Sequence, residues 1–510
     1  MNRRKFLKTM GAAGSSVFIP SSLNLSSLYK YANAAVDYAG ANIAPPAVMP
    51  QMINIFLYGG PSELAGNLTN IVDIENSSQN SYESAFPGIT TTTTANPADG
   101  LITPNGFWRG AGGDEMEFMV GQQYMNVYRT LMKRKDGTRS HRESILMSLK
   151  GSLDIETSAG VGTRMAALLY QNKTAYEGVS QLADNTGPIT RVEDLLLPFV
   201  SFESDSRIYA PDPDFTIPLL LRGTTLDDNF DNPFTRNNNG NATVMDTLVN
   251  KVTGAAEQAR YAGVISAFEL RNFLENKIGD LDTANNAALP TLLDAADVTE
   301  NGGNPAFTYP NNGFGRTVKA AVTLAIENPS TLFISLGGAL GGWDDHNNGV
   351  DSYPGRMTNV MQTLRAAMWH IKYSAGKAIA GGATRGTTDN IIINVYGDFG
   401  RRVNLNNSQG WDHGNNQNLF TLGGAGVFSE GNPGGRAQRT LGKVVGTTER
   451  VGDSGTNNQF TNPVAGSYEF EPMSVAASLY SYMGVQNPNM LTADPEMNPG
   501  GDPAIDENAT

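Results

Sequence analysis

Residues 390–396 carry Ile391, Ile392, Ile393 and Val395 in a near-continuous apolar run. A strand that is apolar on both sides is covered on both faces, as central strands of parallel sheets are. Residues 48–58 form a second apolar run that ends in Gly59-Gly60-Pro61-Ser62, which predicts a buried strand and a tight turn. Residues 331–336 predict a third strand. Helical periodicity is read at 244–278 and at 316–327, where Val318, Val322, Ala325 and Ile326 share one face. It is read again at 358–378, whose stripe of Met361, Leu364, Met368 and Ile371 is taken as core. Residues 116–132, 161–170 and 472–483 are further helix expectations. Buried strands alternating with helices predict an α/β layered fold. Residues 75–115, with a threonine run at 90–94, look irregular, and 186–240 are rich in Asp, Asn and Pro. Outside 472–483, residues 431–510 offer no motif.

Charge and cysteine narrow the chemistry. The 510 residues hold 36 Lys and Arg against 50 Asp and Glu, a net charge of −14. Five of those cations, Arg3, Arg4, Lys5, Lys8 and Lys30, fall at the N-terminus, so the remainder is more acidic still. Such a chain repels phosphate backbones and anionic lipid, which argues against nucleic-acid and membrane-surface roles. There is no cysteine, which excludes disulfides, thiolate metal sites, iron–sulfur clusters and cysteine nucleophiles. Metal chemistry must therefore use His and carboxylates. No run of ~18 apolar residues exists, so no permanent membrane span is expected.

The first residues, with Arg3-Arg4-Lys5-Phe6-Leu7-Lys8, a weakly apolar stretch and then Ala32-Asn33-Ala34, have the three parts of an export signal. The paired arginines closely resemble the twin-arginine signal, which implies the twin-arginine translocase as a transient partner and a periplasmic or extracellular destination. The chain is accordingly divided into a signal at 1–34 and one α/β domain at 35–510, with insertions at about 75–115 and 186–310.

Only four histidines occur: His141, His346, His370 and His413. Gly341-Gly342-Trp343-Asp344-Asp345-His346 follows the strand at 331–336, and Gly397-Asp398-Phe399-Gly400-Arg401-Arg402 follows the strand at 390–396. Trp411-Asp412-His413-Gly414 sits in the loop beyond. These sets fall at the carboxyl ends of neighbouring strands, where open α/β sheets bind ligands. Imidazoles and carboxylates gathered there are the donors of a metal site. His370 lies among core positions of its helix and is read as structural, and Trp343 and Trp411 as packing residues that fix loops.

Gly341 to His346, Gly397 to Arg401, Asn406 and Gly410 to Gly414, with Gly423-Gly424 beyond, resemble the domain of unknown function 1501 family. That family's pattern is Gly-Gly-Trp-Asp-Thr-His, Ser-Glu-Phe-Gly-Arg and Gly-Thr-Asp-His-Gly. Phe56 to Ser62, Ser140-His141 and Gly162-Thr163-Arg164 are similar to its earlier parts. The resemblance spans about 50 to 430. It implies a distant relation to the alkaline phosphatase and sulfatase superfamily, and with it a three-layer α/β/α sandwich and metal-assisted phosphoryl or sulfuryl transfer. Residue by residue, Asp344, His346 and His413 match one metal's ligands, Asp398 stands at the second metal's position, and Ser62 lies near the nucleophile's. Several positions depart from the pattern. Phe399 stands where the superfamily has a second His, Asp345 and Asp398 replace the family's Thr and Glu, and the stretch after the Gly-Gly-Pro-Ser turn holds Ala65 and Gly66 with only Glu63 acidic.

The expectation is thus an exported metal-dependent hydrolase of phosphate or sulfate esters. Zinc is the first choice of ion, with calcium, manganese and magnesium also open. Asp344, His346, Asp398 and His413 are the expected metal residues, and Ser62, Arg401 and His141 the expected catalytic ones, Arg401 facing an anionic transition state. The alternative is a non-catalytic binding or structural protein on the same scaffold, with an anionic ester or surface polymer as ligand. A third reading is a calcium-stabilised protein, drawn from Asp227, Asp228 and Asp231 and from the tail acids Asp494, Glu496, Asp502, Asp506 and Glu507.

Overall fold

A computed structural model describes residues 41–68, 100–181, 188–203, 207–218, 220–222, 277–379, 382–429, 437–452 and 458–510. The signal at 1–34, the threonine run, the Asp227–Asp231 loop and nearly all of the helix expected at 244–278 lie outside them.

The three expected strands sit side by side in one sheet, as β1, β5 and β6. Its named strands are β1 (Gln51–Leu57), β2 (Met125–Met132), β3 (Phe199–Ser201), β4 (Leu220–Arg222), β5 (Phe333–Gly337), β6 (Ile391–Gly397) and β7 (Asn416–Gly423). With the two-residue strand Val444–Val445 on the β2 edge, the eight-stranded order is Val444–Val445, β2, β7, β6, β1, β5, β3, β4. Pairing is parallel except at β7, which runs against both β6 and β2. Every residue of β1, β6 and β7 is buried, so both faces of the sheet's middle are covered, as the isoleucine run requires. One register row is polar. Ser201, Ser335, Asn54, Asn394, Thr421 and Asn126 pair in succession across it, all of them buried.

The principal helices are α1 (Gly113–Gly121), α2 (His141–Lys150), α3 (Val161–Gln171), α4 (Gly313–Glu327), α5 (Gly349–Ser374) and α6 (Pro472–Tyr482). Helices α4 and α5 pack on each other, and α4 also meets β1 and β5. Two expectations need correction. Residues 116–132 are not one helix: α1 stops at Gly121, Gln123 takes a left-handed φ of 57°, and the chain leaves as β2. Strand β2 is buried on nearly all sides, and such a run cannot be told from a helix by periodicity. Helix α5 begins at Gly349 rather than 358. It runs through Pro354, which reads in the sequence as a breaker.

Candidate metal centre

The parallel strands deliver their carboxyl ends to one edge. The Gly59-Gly60 turn follows β1, the loop to α2 with His141 follows β2, Asp344 to His346 follow β5, and Asp398 to Arg402 follow β6. Because β7 is antiparallel, its beginning lies at this same edge, which brings in Asp412 and His413. Close approach explains the paired glycines. A Cβ on Gly59, whose φ is 111°, would stand 2.6 Å from the Asp344 nitrogen, and one on Gly60 2.7 Å from the Phe399 ring.

The imidazoles converge. One oxygen of Asp344, Oδ1, lies 3.2 Å from His141 Nε2, 3.3 Å from His346 Nε2 and 3.5 Å from His413 Nε2. Each ring's other nitrogen is tied to an acceptor. His141 Nδ1 donates to Asp398 Oδ2 at 2.6 Å, His346 Nδ1 to Asp412 Oδ1 at 3.0 Å, and His413 Nδ1 to the Arg139 carbonyl at 2.8 Å. A carbonyl oxygen can only accept, so His413 carries its hydrogen on Nδ1 and turns a bare Nε2 inward. The same logic applies to His346 over its carboxylate. Among the described residues His141 Nε2 is buried without a hydrogen bond. Phe399 forms the wall, its ring centroid 4.6 Å from that of His141 and 4.5 Å from that of His413.

His141, Asp344 and His413 offer ligand atoms that all lie within 4.8 Å of one another, and this group could hold a metal ion. Two ligands sharing a zinc-sized ion with bonds of ~2.0–2.1 Å stand about 3.3 Å apart at tetrahedral angles. The three distances to Asp344 Oδ1 fit that spacing. Metal-bound histidines also characteristically donate their second nitrogen to a carboxylate or backbone carbonyl, which all three rings do here. His346 adjoins the group, its Nε2 2.8 Å from that of His413.

Electrostatics favour Asp344 and His413 in their metal-binding forms and oppose that form at His141. Burial pushes the Asp344 carboxyl up, but the hydrogen bond and charge of Arg401 outweigh it and bring the carboxyl down to about 2. Burial, then the charges of Arg401 and His141, bring His413 down to about 4, so it is neutral at pH 7. His141 is raised, first by its hydrogen bond to Asp398 and then by the charges of Asp398 and Asp344, against the opposing pull of burial. Burial raises Asp412, yet the Asn406 amide and His346 hold it below the ordinary carboxylate range.

The remaining expected site residues are placed as follows. Asp398 is fully buried, with one oxygen on His141 and the other accepting from the Gly59 nitrogen at 3.0 Å, so it orients the His141 ring. The Arg401 guanidinium is fully buried. It donates to Asp344 Oδ1 at 2.7 Å and to the carbonyls of Gly59, Gly60, Trp343 and Trp411. That engagement fixes Asp344 and the surrounding loops. Ser62 is buried and caps a short helical turn, its Oγ accepting from the Leu64 nitrogen at 3.3 Å. No hydrogen bond joins it to the histidines among the described residues. His370 is buried on α5 beside Tyr309, with burial lowering it to about 3. Trp343 and Trp411 are fully buried and both meet Tyr353 edge-on. The tail acids are engaged with protein groups: Asp502 with Lys135, Glu507 with Arg439, and Asp494 with the nitrogens of Glu496 and Met497.

Sequence reasoning missed three contributors. The Arg139 carbonyl has no side-chain signal. Asp412 was visible beside His413 among the strand-end carboxylates but was given no role of its own. Lys133, buried over Phe399 and donating to the Thr138 carbonyl and Ser144 Oγ, ties down the loop that leads to His141. No family model and no curated protein matches the chain.

Proposed function

We propose that this chain is an exported metal-dependent hydrolase of phosphate or sulfate esters, built on a three-layer sandwich of the alkaline phosphatase and sulfatase type. The observation that carries the reading is the set of imidazoles anchored through Nδ1 and converging through Nε2 on Asp344. His141, Asp344 and His413 would hold the ion, with His346 as a further donor. A divalent ion bound there supplies Lewis-acid activation of water near neutral pH and polarisation of an ester oxygen. The protein's part is to hold the rings in one tautomer, keep Asp344 ionised through Arg401, and exclude water behind Phe399. With Ser62 capping backbone, the reading favours water over serine as the nucleophile.

Zinc heads the choice because the donor set is nitrogen-rich, which suits zinc better than calcium or magnesium. Elemental analysis of the protein, beside a folded His346→Ala, His413→Ala variant, tests the centre. One equivalent of a transition metal, lost in the variant, supports it. Phosphate and sulfate ester panels with zinc, manganese, magnesium and calcium then test turnover. A loaded centre that hydrolyses none of them favours the second reading, a binding protein on a hydrolase scaffold, to which the engaged Arg401 and Ser62 also point.

A further inference from the structure

The loop that leaves β2 meets the C-terminal tail in one polar cluster. Lys135 Nζ donates to Asn498 Oδ1 at 2.8 Å and to Asp502 Oδ1 at 2.8 Å. Asn498 Nδ2 donates in turn to Asp502 Oδ2 at 2.7 Å. One carboxylate therefore touches an amine with one oxygen and an amide with the other, and the amine also touches the amide. An ion pair alone needs no asparagine among its partners.

The groups are held in place. Asn498 and Asp502 are both buried. Asn498 exchanges backbone hydrogen bonds with Asp494, and its Nδ2 also reaches the Thr492 carbonyl at 3.3 Å. The Asp502 nitrogen donates to Thr492 Oγ1 at 2.6 Å. Behind the lysine, Glu471 Oε1 accepts from the backbone nitrogens of Arg134 and Lys135 at 2.9 and 3.0 Å. Its Oε2 is buried without a hydrogen bond among the described residues, and burial raises the carboxyl to about 7. A partly neutral Glu471 holds the lysine's ammonium less firmly than a full carboxylate would, which eases loss of its proton. The Lys135 side chain is 36% exposed, so a small product can leave.

With Nζ 2.8 Å from the amide oxygen, the amide carbon one C=O bond further lies within about 4 Å of the amine. Reacting atoms approach to roughly 3–3.5 Å, so a small turn of the amide brings the pair into range. We propose that Lys135 and Asn498 join in an intramolecular isopeptide bond, with Asp502 carrying the protons. Asp502 Oδ1 takes a proton from the ammonium, and the freed amine attacks Asn498 Cγ. The Cγ–Nζ bond forms and the Cγ–Nδ2 bond breaks. Nζ sheds two protons in all, and the carboxylate passes both to the departing nitrogen, which leaves as ammonium. Asp502 ends ionised as it began, and no oxidant, metal or cofactor takes part. A chain without cysteine thereby ties its tail to the loop that leads to His141, across 363 residues of sequence. The bond is independent of the ester-hydrolase reading.

Mass spectrometry of the full-length protein, incubated after purification at pH 5 to 8, tests it. Trypsin does not cut after an acylated lysine. The bond therefore predicts one fragment that joins residues 135–139 to residues 451–510, lighter than the two together by one ammonia, about 17 Da. Loss of ammonia at an asparagine–glycine step links no fragments and is told apart by that. The charge-keeping Lys135→Arg and Asn498→Ala should lack the joined fragment, and Asp502→Asn should form it about 100-fold more slowly or worse. Folding of each variant is checked by circular dichroism, while the natural chain gives the deciding readout alone. Separate fragments throughout the incubation of the natural chain overturn the bond. A joined fragment that forms at the natural rate in Asp502→Asn overturns the role of that carboxylate.

Discussion

The Nε2 atoms of His346 and His413 face each other at 2.8 Å while their Nδ1 atoms are committed to Asp412 and to the Arg139 carbonyl. Two lone pairs so placed repel, and a cation between them relieves the contact. His141, raised above the ordinary imidazole range, must give up its proton when an ion binds, so loading metal-free protein should release protons. Calorimetric zinc titrations in buffers of different ionisation enthalpy should show an apparent enthalpy that tracks the buffer. A buffer-independent enthalpy would remove the shared site.

The raised His141 makes a related prediction. A group raised above the ordinary imidazole range is more protonated at a given pH, so an incoming ion must displace that proton. Zinc affinity should rise with pH across neutrality and level off once His141 is deprotonated. His413, already neutral above about 4, adds little to this slope. The check is the dissociation constant measured from pH 6 to 9 against a competing chelator.

Orienting residues should matter almost as much as ligands. Asp398→Asn and Asp412→Asn keep the side-chain shape but weaken the hold on His141 and His346, and each should weaken zinc binding by roughly 10–100-fold. His413→Ala should weaken it further. Asp398→Asn with undiminished zinc affinity would show that His141 is positioned by its surroundings alone.

Glu63 provides a pH-dependent cost in the layer behind the centre. It is buried, accepts from the Arg401 nitrogen at 3.1 Å and from Thr461 Oγ1 at 2.8 Å, and burial pushes it up to about 7. Its folded value exceeds its unfolded one, so its stabilising contribution is full below about 4.5 and is lost as pH rises through about 7. Glu471, also raised to about 7 by burial, shares the window. Glu63→Gln should flatten, without abolishing, the fall in urea midpoint of metal-free protein between pH 5 and 8.

The tail is pinned by a buried pair. Arg439 and Glu507 lie 3.3 Å apart with neither exposed by more than 1%, and the Tyr482 hydroxyl donates to Glu507 at 2.6 Å. Removing one member strands a buried charge, so Glu507→Ala should lose about 3–5 kcal/mol of stability in denaturant unfolding. A loss under about 1 kcal/mol would mean that the tail adds little.

What could be read in advance follows the range of each signal. Apolar runs such as Ile391 to Val395 announce buried strands locally, and the Asp and His residues beyond them announce the sheet edge where the imidazoles gather. His141 was expected as a functional residue, but its place beside Asp344 and His413 depends on β2 lying two strands from β6, which no local pattern states. The β2 segment itself reads as helix because it is buried on nearly all sides and Asn126, Arg129 and Thr130 break a strict two-residue alternation. Asp398 and Arg401 were read from motifs, which name a side chain without saying which way its bonds are spent; here Asp398 bonds His141 and the Gly59 nitrogen, and Arg401 bonds Asp344 and loop carbonyls. Arg439 and Glu507 meet across 68 residues of sequence, with no periodicity to link them.

The reversed direction of β7 has a consequence for assembly. His413 reaches the edge only because its strand starts there, wedged between β6 and β2, while Asp344 arrives from the opposite side of β1. The donors therefore come from both flanks of the sheet and meet only when its central seam has closed. A half-formed chain has scattered histidines and nothing that grips an ion, so metal uptake would serve as a certificate of completed folding.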